Sequence, residues 1–264
     1  MASNSESGHT RNVTNFEDLI SVVKSYGTVY NPSNELIKVE QLKTMAQNAT
    51  NSLNLVNSAL GSNSIAIAAR NVAIAPLSKL STRILNSIRS CKVVPQIIEN
   101  AKSLVRKIQG RRATKKLTVE QKETLKAEGI VKKEVSSSQM SFDNRIESFD
   151  KLIQLLSGIP QYVPNEIELQ VATLTNYNNT LKTLNNEARD VETELSNARI
   201  ARNEILYTPE TGLVDTATAA KMYIKSIFGA TSPKYKQVSR LAFKSIAVDK
   251  ISNEVFITDQ APVR

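Results

Sequence analysis

Side chains that could carry out acid–base, nucleophilic or metal chemistry are scarce in this chain of 264 residues. It contains one histidine, His9, and one cysteine, Cys91, which are far apart in the sequence. Zinc sites need several Cys or His ligands, and Cys–His pairs and Ser–His–Asp triads need a histidine beside the nucleophile. A solvated side chain in a polar N-terminal stretch is the simplest interpretation of His9. We therefore predict a protein that is not an enzyme and that holds no metal or cofactor.

Carboxylates and cysteine do not change this prediction. Glu187, Asp190 and Glu194 recur at three- and four-residue spacing, which a solvated acidic helix face explains. Glycine-rich loops with the spacing of nucleotide sites do not occur in the sequence. The single Cys91 excludes an internal disulfide, fits a reducing compartment, and is expected to be a small buried side chain at a helix end.

The strongest polar signal is a basic cluster in residues 102–116, which contain no acid. Residues 92–141 contain twelve basic and five acidic residues, a net +7 of the chain's +9. Such a segment attracts polyanions by releasing their counterions, without reading sequence. Interleaved aromatic residues and a helix-turn-helix pattern are missing, so a solvated loop or subunit-contacting arm is the main interpretation and nucleic-acid contact the alternative. The candidate polyanion contacts are Lys102, Arg106, Lys107, Arg111, Arg112, Lys115 and Lys116.

A second polar feature is an arginine at two corresponding positions, Arg70 and Arg202, each followed by asparagine. The apolar spacing around Arg202 continues onto it, so its guanidinium is expected inside the bundle, where it needs partners. Acidic residues at corresponding positions suggest the buried pairs Arg70–Glu17 and Arg202–Asp150. The alternatives are a helix-capping role for Glu17 and arginine bonds to carbonyl groups at helix ends.

The segment 165–207 organises the predicted fold. It has no glycine or proline, and its apolar residues step by three and four, which keeps one helix face turned to a partner. As one helix it would be roughly 60 Å long and would need packing along its length. Two helices in line, with a break near Asn185-Asn186, are the alternative. The stripe consists of Val171, Leu174, Asn178, Leu181, Leu184, Ala188, Val191, Leu195, Ala198 and Ile205.

The two halves of the chain follow one plan, which indicates an internal tandem duplication. Several matches share an offset of 132, and later ones follow after about seven extra residues near Tyr207. Two anchors with one offset across thirty residues are hard to obtain by chance. The matched segments are Phe16–Ile20 with Phe149–Ile153, Tyr30 with Tyr162, Val39 with Val171, Ala69–Asn71 with Ala201–Asn203, Ile88 with Ile227, and Pro95 with Pro233.

Long segments without helix breakers, few aromatic residues and few glycines predict an all-α fold. We expect an elongated antiparallel helical bundle in which two repeats pack as one domain, and two separate domains are the weaker alternative. The tail alternates weakly, which predicts a small β-hairpin or an extended strand that docks in cis or on a neighbour. The predicted organisation is a flexible arm over 1–13, a first helical repeat over 14–108 that opens at a capping box at Thr14, a charged basic insertion over 109–141, a second helical repeat over 142–246, and the tail over 247–264.

Three segments resemble a family of uncharacterised helical proteins from Bacteroidota-type bacteria: Asn4–His9, Leu195–Asn203 and Gly229–Tyr235. The resemblance would cover most of the chain. It implies a bacterial helical protein without enzymatic activity, and it transfers no site.

Function and location are predicted from these features together. The N-terminus lacks the order of a secretory signal and no apolar run is long enough to span a membrane, so a cytoplasmic protein is expected and a membrane partner is not. We predict a non-enzymatic structural or interaction protein, a self-assembling or scaffold-like helical bundle whose partner is a second copy of itself or another protein. The alternative is sequence-nonspecific nucleic-acid binding through residues 102–116.

Overall fold

A computed structural model describes residues 6–111 and 141–245, except for the side chains of Glu6 and Ser7. The described residues contain no strand, and the prediction of an all-α helical bundle is confirmed. The predicted hairpin falls in the tail, outside the described residues. Three short 3₁₀ helices, Gly27–Val29, Glu35–Ile37 and Ile167–Leu169, connect the α-helices. The α-helices are α1 (Glu6–Ser25), α2 (Val39–Ile74), α3 (Leu77–Ser90), α4 (Pro95–Gln109), α5 (Phe142–Ser157), α6 (Val171–Tyr207), α7 (Leu213–Phe228) and α8 (Pro233–Ser239).

The two long helices, α2 and α6, are uninterrupted. Helix α2 continues through Gly61, because one glycine costs only about 1 kcal/mol relative to alanine and packing along the helix outweighs it. Helix α6 continues through Asn185-Asn186, where buried Asn185 donates from Nδ2 to Asp143 Oδ1 of α5 at 2.8 Å. The alternative of two helices in line is therefore wrong.

Helix α1 begins earlier than the sequence indicated. It starts at Glu6 and not at Thr14, so residues 6–13, predicted to be a flexible arm, are helical. Asn12 explains part of this difference, because its side chain is buried and anchors the helix. Its Nδ2 donates to the carbonyl of Lys244 at 2.8 Å, and its Oδ1 accepts from the amide of Lys244 at 3.0 Å.

The chain divides into two compact units, with boundaries after Asn63 in α2 and after Asp190 in α6. Unit 2 is Ser64–Asp190, and unit 1 contains the residues before and after it. Each unit therefore combines the opening helices of one predicted repeat with the closing helices of the other. The predicted domain boundaries do not coincide with this division, because each long helix belongs partly to unit 1 and partly to unit 2.

Each unit has its own apolar core. In unit 1, α1 packs with α7 and α8 around residues that include Phe16, Leu19 and Ile224. In unit 2, α4 packs against α3 and α5 around residues that include Ile88, Ile108 and Phe149. In both cores the apolar residues of each helix recur at three- and four-residue spacing, as expected for helices that bury one face.

Local geometry recurs at the predicted offset. Buried Tyr30 donates its hydroxyl to the carbonyl of Ile37 at 2.8 Å, and buried Tyr162 donates to the carbonyl of Leu169 at 2.9 Å. Pro95 and Pro233 each occupy the first turn of a helix. These parallels support the internal duplication, which stays a prediction.

One predicted correspondence does not fit the burial. Ile88 of α3 is completely buried, whereas Ile227 of α7 is 37% exposed. The completely buried isoleucine of α7 is Ile224, one helical turn earlier. If the two repeats are related, burial therefore matches Ile88 with Ile224 and not with Ile227.

Candidate functional site

Four of the seven candidate polyanion contacts lie at the C-terminal end of α4. Lys102, Arg106 and Lys107 lie on the helix, and Arg111 follows the left-handed cap at Gly110, whose φ is 65°. Cations in the last turn of a helix are favoured by its dipole. Arg112, Lys115 and Lys116 lie outside the described residues.

Gln109 fixes this end of α4 against the start of α3. Its Nε2 donates to the carbonyl of Ser78 at 2.9 Å and to Thr82 Oγ1 at 2.8 Å. Because a short turn also joins the two helices at their other ends, they run antiparallel. Lys102 and Arg106 precede Gln109 by seven and three residues, which places them on the helix face that meets α3.

Lys107 is directed elsewhere. It lies toward α5, where a hydrogen bond and the charge of Lys151 lower the pKa of Glu147 and the charge of Lys107 adds to this effect. Half-buried Arg145 of α5 donates from Nε to the carbonyl of Ile108 at 3.0 Å, which satisfies an end carbonyl of α4. Burial lowers the pKa of Arg145. Of the candidate contacts on α4, Lys102 and Arg106 are therefore the two that border α3.

Helix α3 adds basic residues that the sequence analysis did not single out. Lys79, Arg83 and Arg89 are exposed. Lys79 and Arg83 are neighbours one turn apart, and Arg89 lies about 80° around the helix axis from Lys79. Asn86, also on this side, accepts at Oδ1 from Arg89 Nη1 at 3.4 Å. These basic residues could not be recognised as a cluster because they are separated along the helix and do not form a continuous basic segment. The sequence feature that could have revealed them is a predicted helix with three basic residues and no acidic residue.

The basic and acidic residues of unit 2 are segregated along the chain. Residues 64–111 contain nine basic residues and one acid, a net +8, whereas residues 141–190 contain four basic residues and seven acids, a net −3. Lys102 pairs with Glu99 at 3.0 Å, and Arg83 pairs with Glu168. Within the described ranges no ion pair engages Lys79, Arg89 or Arg106. We call the side of the α3–α4 pair that contains these three residues, with Arg83 and Lys102, the basic seam.

Arg202 is completely buried in unit 1, in agreement with the apolar spacing of α6. Its Nε and Nη2 donate to Oδ1 of the neighbouring Asn203 at 3.1 and 2.8 Å. The predicted partner Asp150 is wrong. Its half-buried carboxylate in unit 2 accepts from Asn178 Nδ2 at 2.6 Å and from Lys182 Nζ at 2.7 Å.

Arg70 is half-buried, and the prediction that it pairs with Glu17 is also wrong. Its guanidinium carbon lies 3.9 Å from the centre of the Phe142 ring, a cation–π contact within unit 2. Glu17 is exposed in unit 1 and accepts from Thr50 Oγ1 at 3.2 Å. Each predicted acid bonds instead to the long helix that follows it in sequence.

Unit 1 also contains a buried polar cluster that the sequence did not predict. His9 is 1% exposed, and its Nδ1 lies 2.7 Å from the hydroxyl of Tyr207, so the interpretation of His9 as a solvated side chain is wrong. Asn12 donates to the same hydroxyl at 3.3 Å. Nearly two hundred residues separate these partners from Tyr207, so no local pattern could reveal the cluster. In the described ranges, no three His, Cys, Asp or Glu side chains could hold a metal ion together.

The outer side of α2 in unit 2 is uncharged and apolar. Ile65 and Val72 lie seven residues apart on one helix face and are 72% and 75% exposed. Exposed Ala68 and Ala69 lie between them, and from residue 44 to residue 78 the only charged residue is Arg70. At 100° per residue, Arg70 projects from the opposite side of the helix. We call Ile65, Ala68, Ala69 and Val72 the α2 face.

Comparisons with family models, curated proteins and solved structures found no match to this chain. The resemblance to a bacterial helical family therefore stays a prediction. Among the described helices, none combines the length and apolar character needed to cross a bilayer.

Proposed function

We propose that this protein is a non-enzymatic interaction protein that associates with copies of itself through the α2 face. The observation that carries the proposal is the exposure of two large aliphatic side chains, Ile65 and Val72, on one uncharged helix face. Scattered exposed apolar residues are ordinary, but a continuous uncharged face on a long helix is typical of a contact surface.

The charge of the chain favours a second copy as the partner. Most closed homodimers are isologous, so the same patch of each copy meets itself. A charged patch would repel its own copy, and the chain has a net charge of +9. The uncharged α2 face can meet its counterpart without placing like charges in the contact.

The association is expected to be weak. Burying an aliphatic side chain contributes about 1.5–3 kcal/mol, so the isoleucines and valines of two copies, each about three-quarters exposed, contribute roughly 5–9 kcal/mol. Lost translational and rotational freedom opposes this with about 4 kcal/mol or more. At most about 5 kcal/mol remains, so the dissociation constant is expected to be about 0.2 mM or weaker.

Light scattering across protein concentration tests the proposal with a matched pair of variants. Val72→Lys places a charge in the α2 face, whereas Val163→Lys makes the same change at a valine that is 78% exposed elsewhere in unit 2. We expect the molar mass of the wild type and of Val163→Lys to rise with concentration, and that of Val72→Lys to stay at the 29.1 kDa of one chain. A wild type that stays monomeric, or two variants that behave alike, would refute the α2 face as the contact.

A further inference from the structure

We propose that the basic seam binds the phosphate backbone of nucleic acid without reading its sequence. This activity is separate from self-association, because the seam and the α2 face consist of different residues of unit 2. The proposal also differs from the sequence prediction, which placed such contacts only in residues 102–116 and did not include α3.

The local charge of the basic seam favours a polyanion. The segment 64–111, which includes both helices of the seam, has a net charge of +8 with a single acid, Glu99. That acid lies one turn before Lys102 and pairs with it, so it neutralises one cation at the far end of the seam. Lys79, Arg89 and Arg106 keep their charge available, since no acidic side chain of the described residues forms an ion pair with them. Clustered cations of this kind attract polyanions by releasing condensed counterions.

The cations of the basic seam are spread along the helices and are not gathered at one point. Gln109 holds the end of α4 on the start of α3, so Arg106 lies beside the first turns of α3. Lys79 and Arg89 are ten residues apart on α3, which is about 15 Å at the rise of an α-helix. The cations therefore extend along a line, as contacts to successive phosphates require, and do not converge on one small anion.

The basic seam lacks the apolar and aromatic side chains that other kinds of partner would need. None of the large exposed hydrophobic residues of the described chain lies on α3 or among residues 102–111. Protein interfaces depend on buried aromatic and aliphatic anchors, and membrane-surface helices need apolar side chains to insert. Base recognition on single strands relies on aromatic stacking, and α3 and α4 contain no aromatic residue. Charge without anchors or rings favours contact to phosphates alone.

Fluorescence anisotropy with a labelled oligothymidylate, titrated with the full chain at several salt concentrations, tests this proposal. The seam variant is Lys79→Gln/Arg89→Gln/Arg106→Gln. The control variant is Lys24→Gln/Lys236→Gln/Arg240→Gln, which removes three exposed charges from unit 1. A third variant, Arg112→Gln/Lys115→Gln/Lys116→Gln, removes the same number of charges from the segment singled out by the sequence. Circular dichroism checks that each variant is folded.

We expect the logarithm of the binding constant to fall linearly with the logarithm of the salt concentration. Each phosphate contact on a single strand contributes about 0.7 to this slope, so the loss of three cations should make the slope smaller by about 2 in the seam variant. The control variant should keep the wild-type slope. Arg89→Lys/Arg106→Lys, which retains the charges, should bind nearly as well as the wild type.

Three results would overturn the proposal. The first is no wild-type binding at about 50 mM salt. The second is an equal loss of binding affinity in the seam and control variants, or a loss of affinity only in the Arg112→Gln/Lys115→Gln/Lys116→Gln variant. The third is binding to vesicles that contain phosphatidylserine without binding to the oligonucleotide.

Discussion

Replacing Tyr162 with phenylalanine is expected to lower the free energy of unfolding by about 1–3 kcal/mol. The hydroxyl of Tyr162 donates to the carbonyl of Leu169 at 2.9 Å, and both residues are buried. Phenylalanine keeps the ring in place but leaves the carbonyl without this donor, away from water, which costs this amount. The corresponding variant Tyr30→Phe should have a similar effect in unit 1, because Tyr30 makes the same bond to Ile37 at 2.8 Å.

Urea unfolding followed by circular dichroism measures this effect. With a slope of about 3 kcal/mol per molar urea, a loss of about 2 kcal/mol lowers the midpoint by roughly 0.7 M. Tyr235→Phe is the matched control, because no described group bonds to the hydroxyl of Tyr235. A Tyr162→Phe midpoint equal to that of Tyr235→Phe would refute the stabilising role of this bond.

The pH dependence of the free energy of unfolding gives an independent test of the burial of Tyr162. Burial raises the pKa of Tyr162 from 10.0 to about 12. The unfolded chain therefore loses this proton first, so the contribution to stability is complete below pH 10 and is lost as the pH rises toward about 12. The wild type should lose more stability over that range than Tyr162→Phe does. Equal losses in the two proteins would contradict the assigned burial.

Five further predictions concern other contacts and the charge of the chain. Arg202→Met should cost about 1–3 kcal/mol, because Asn203 Oδ1 loses two donors in a buried site; an unchanged melting temperature would argue against a structural role. Gly61→Ala should stabilise α2 by about 0.5–1 kcal/mol, since a Cβ there meets nothing within 4 Å. Gly212→Ala should destabilise, since its Cβ would lie 2.7 Å from backbone atoms of Thr208; equal melting temperatures for these two glycine variants would contradict the packing. Arg145→Gln should cost about 1 kcal/mol and speed amide hydrogen exchange at the end of α4, with exposed Lys151→Gln as its control; unchanged exchange would exclude this cap. Higher salt should strengthen self-association, because it screens repulsion between copies, and weaken nucleic-acid binding; a parallel response would show that one contact underlies both.

Local periodicity explains why much of the fold could be predicted. Residues three and four apart share a helix face whatever surrounds them, so the stripe of α6 could be traced before any contact was known. The burial of Arg202 followed from the same spacing, because the stripe continues onto it. The repeated tyrosines were also visible in the sequence, and the structure assigns them equivalent hydrogen bonds.

The candidate site could be predicted only in part, because charge runs are local and surfaces are not. Lys102 and Arg106 were found in a basic run. Lys79 and Arg89 were not, since they are ten residues apart and become neighbours of α4 only when Gln109 joins the two helices. The α2 face was likewise hidden, because apolar residues are assigned to a core until the burial of each is known.

By itself, the sequence determined the all-α class and the burial of Arg202, because each depends on residues within a few turns of one another. Only the tertiary structure decided the partners of the buried polar groups, the continuity of the two long helices and the division of each between two units. Contacts such as His9 with Tyr207 join residues nearly two hundred positions apart. The free energy of these contacts depends on which helices pack together, and that choice is a property of the whole chain.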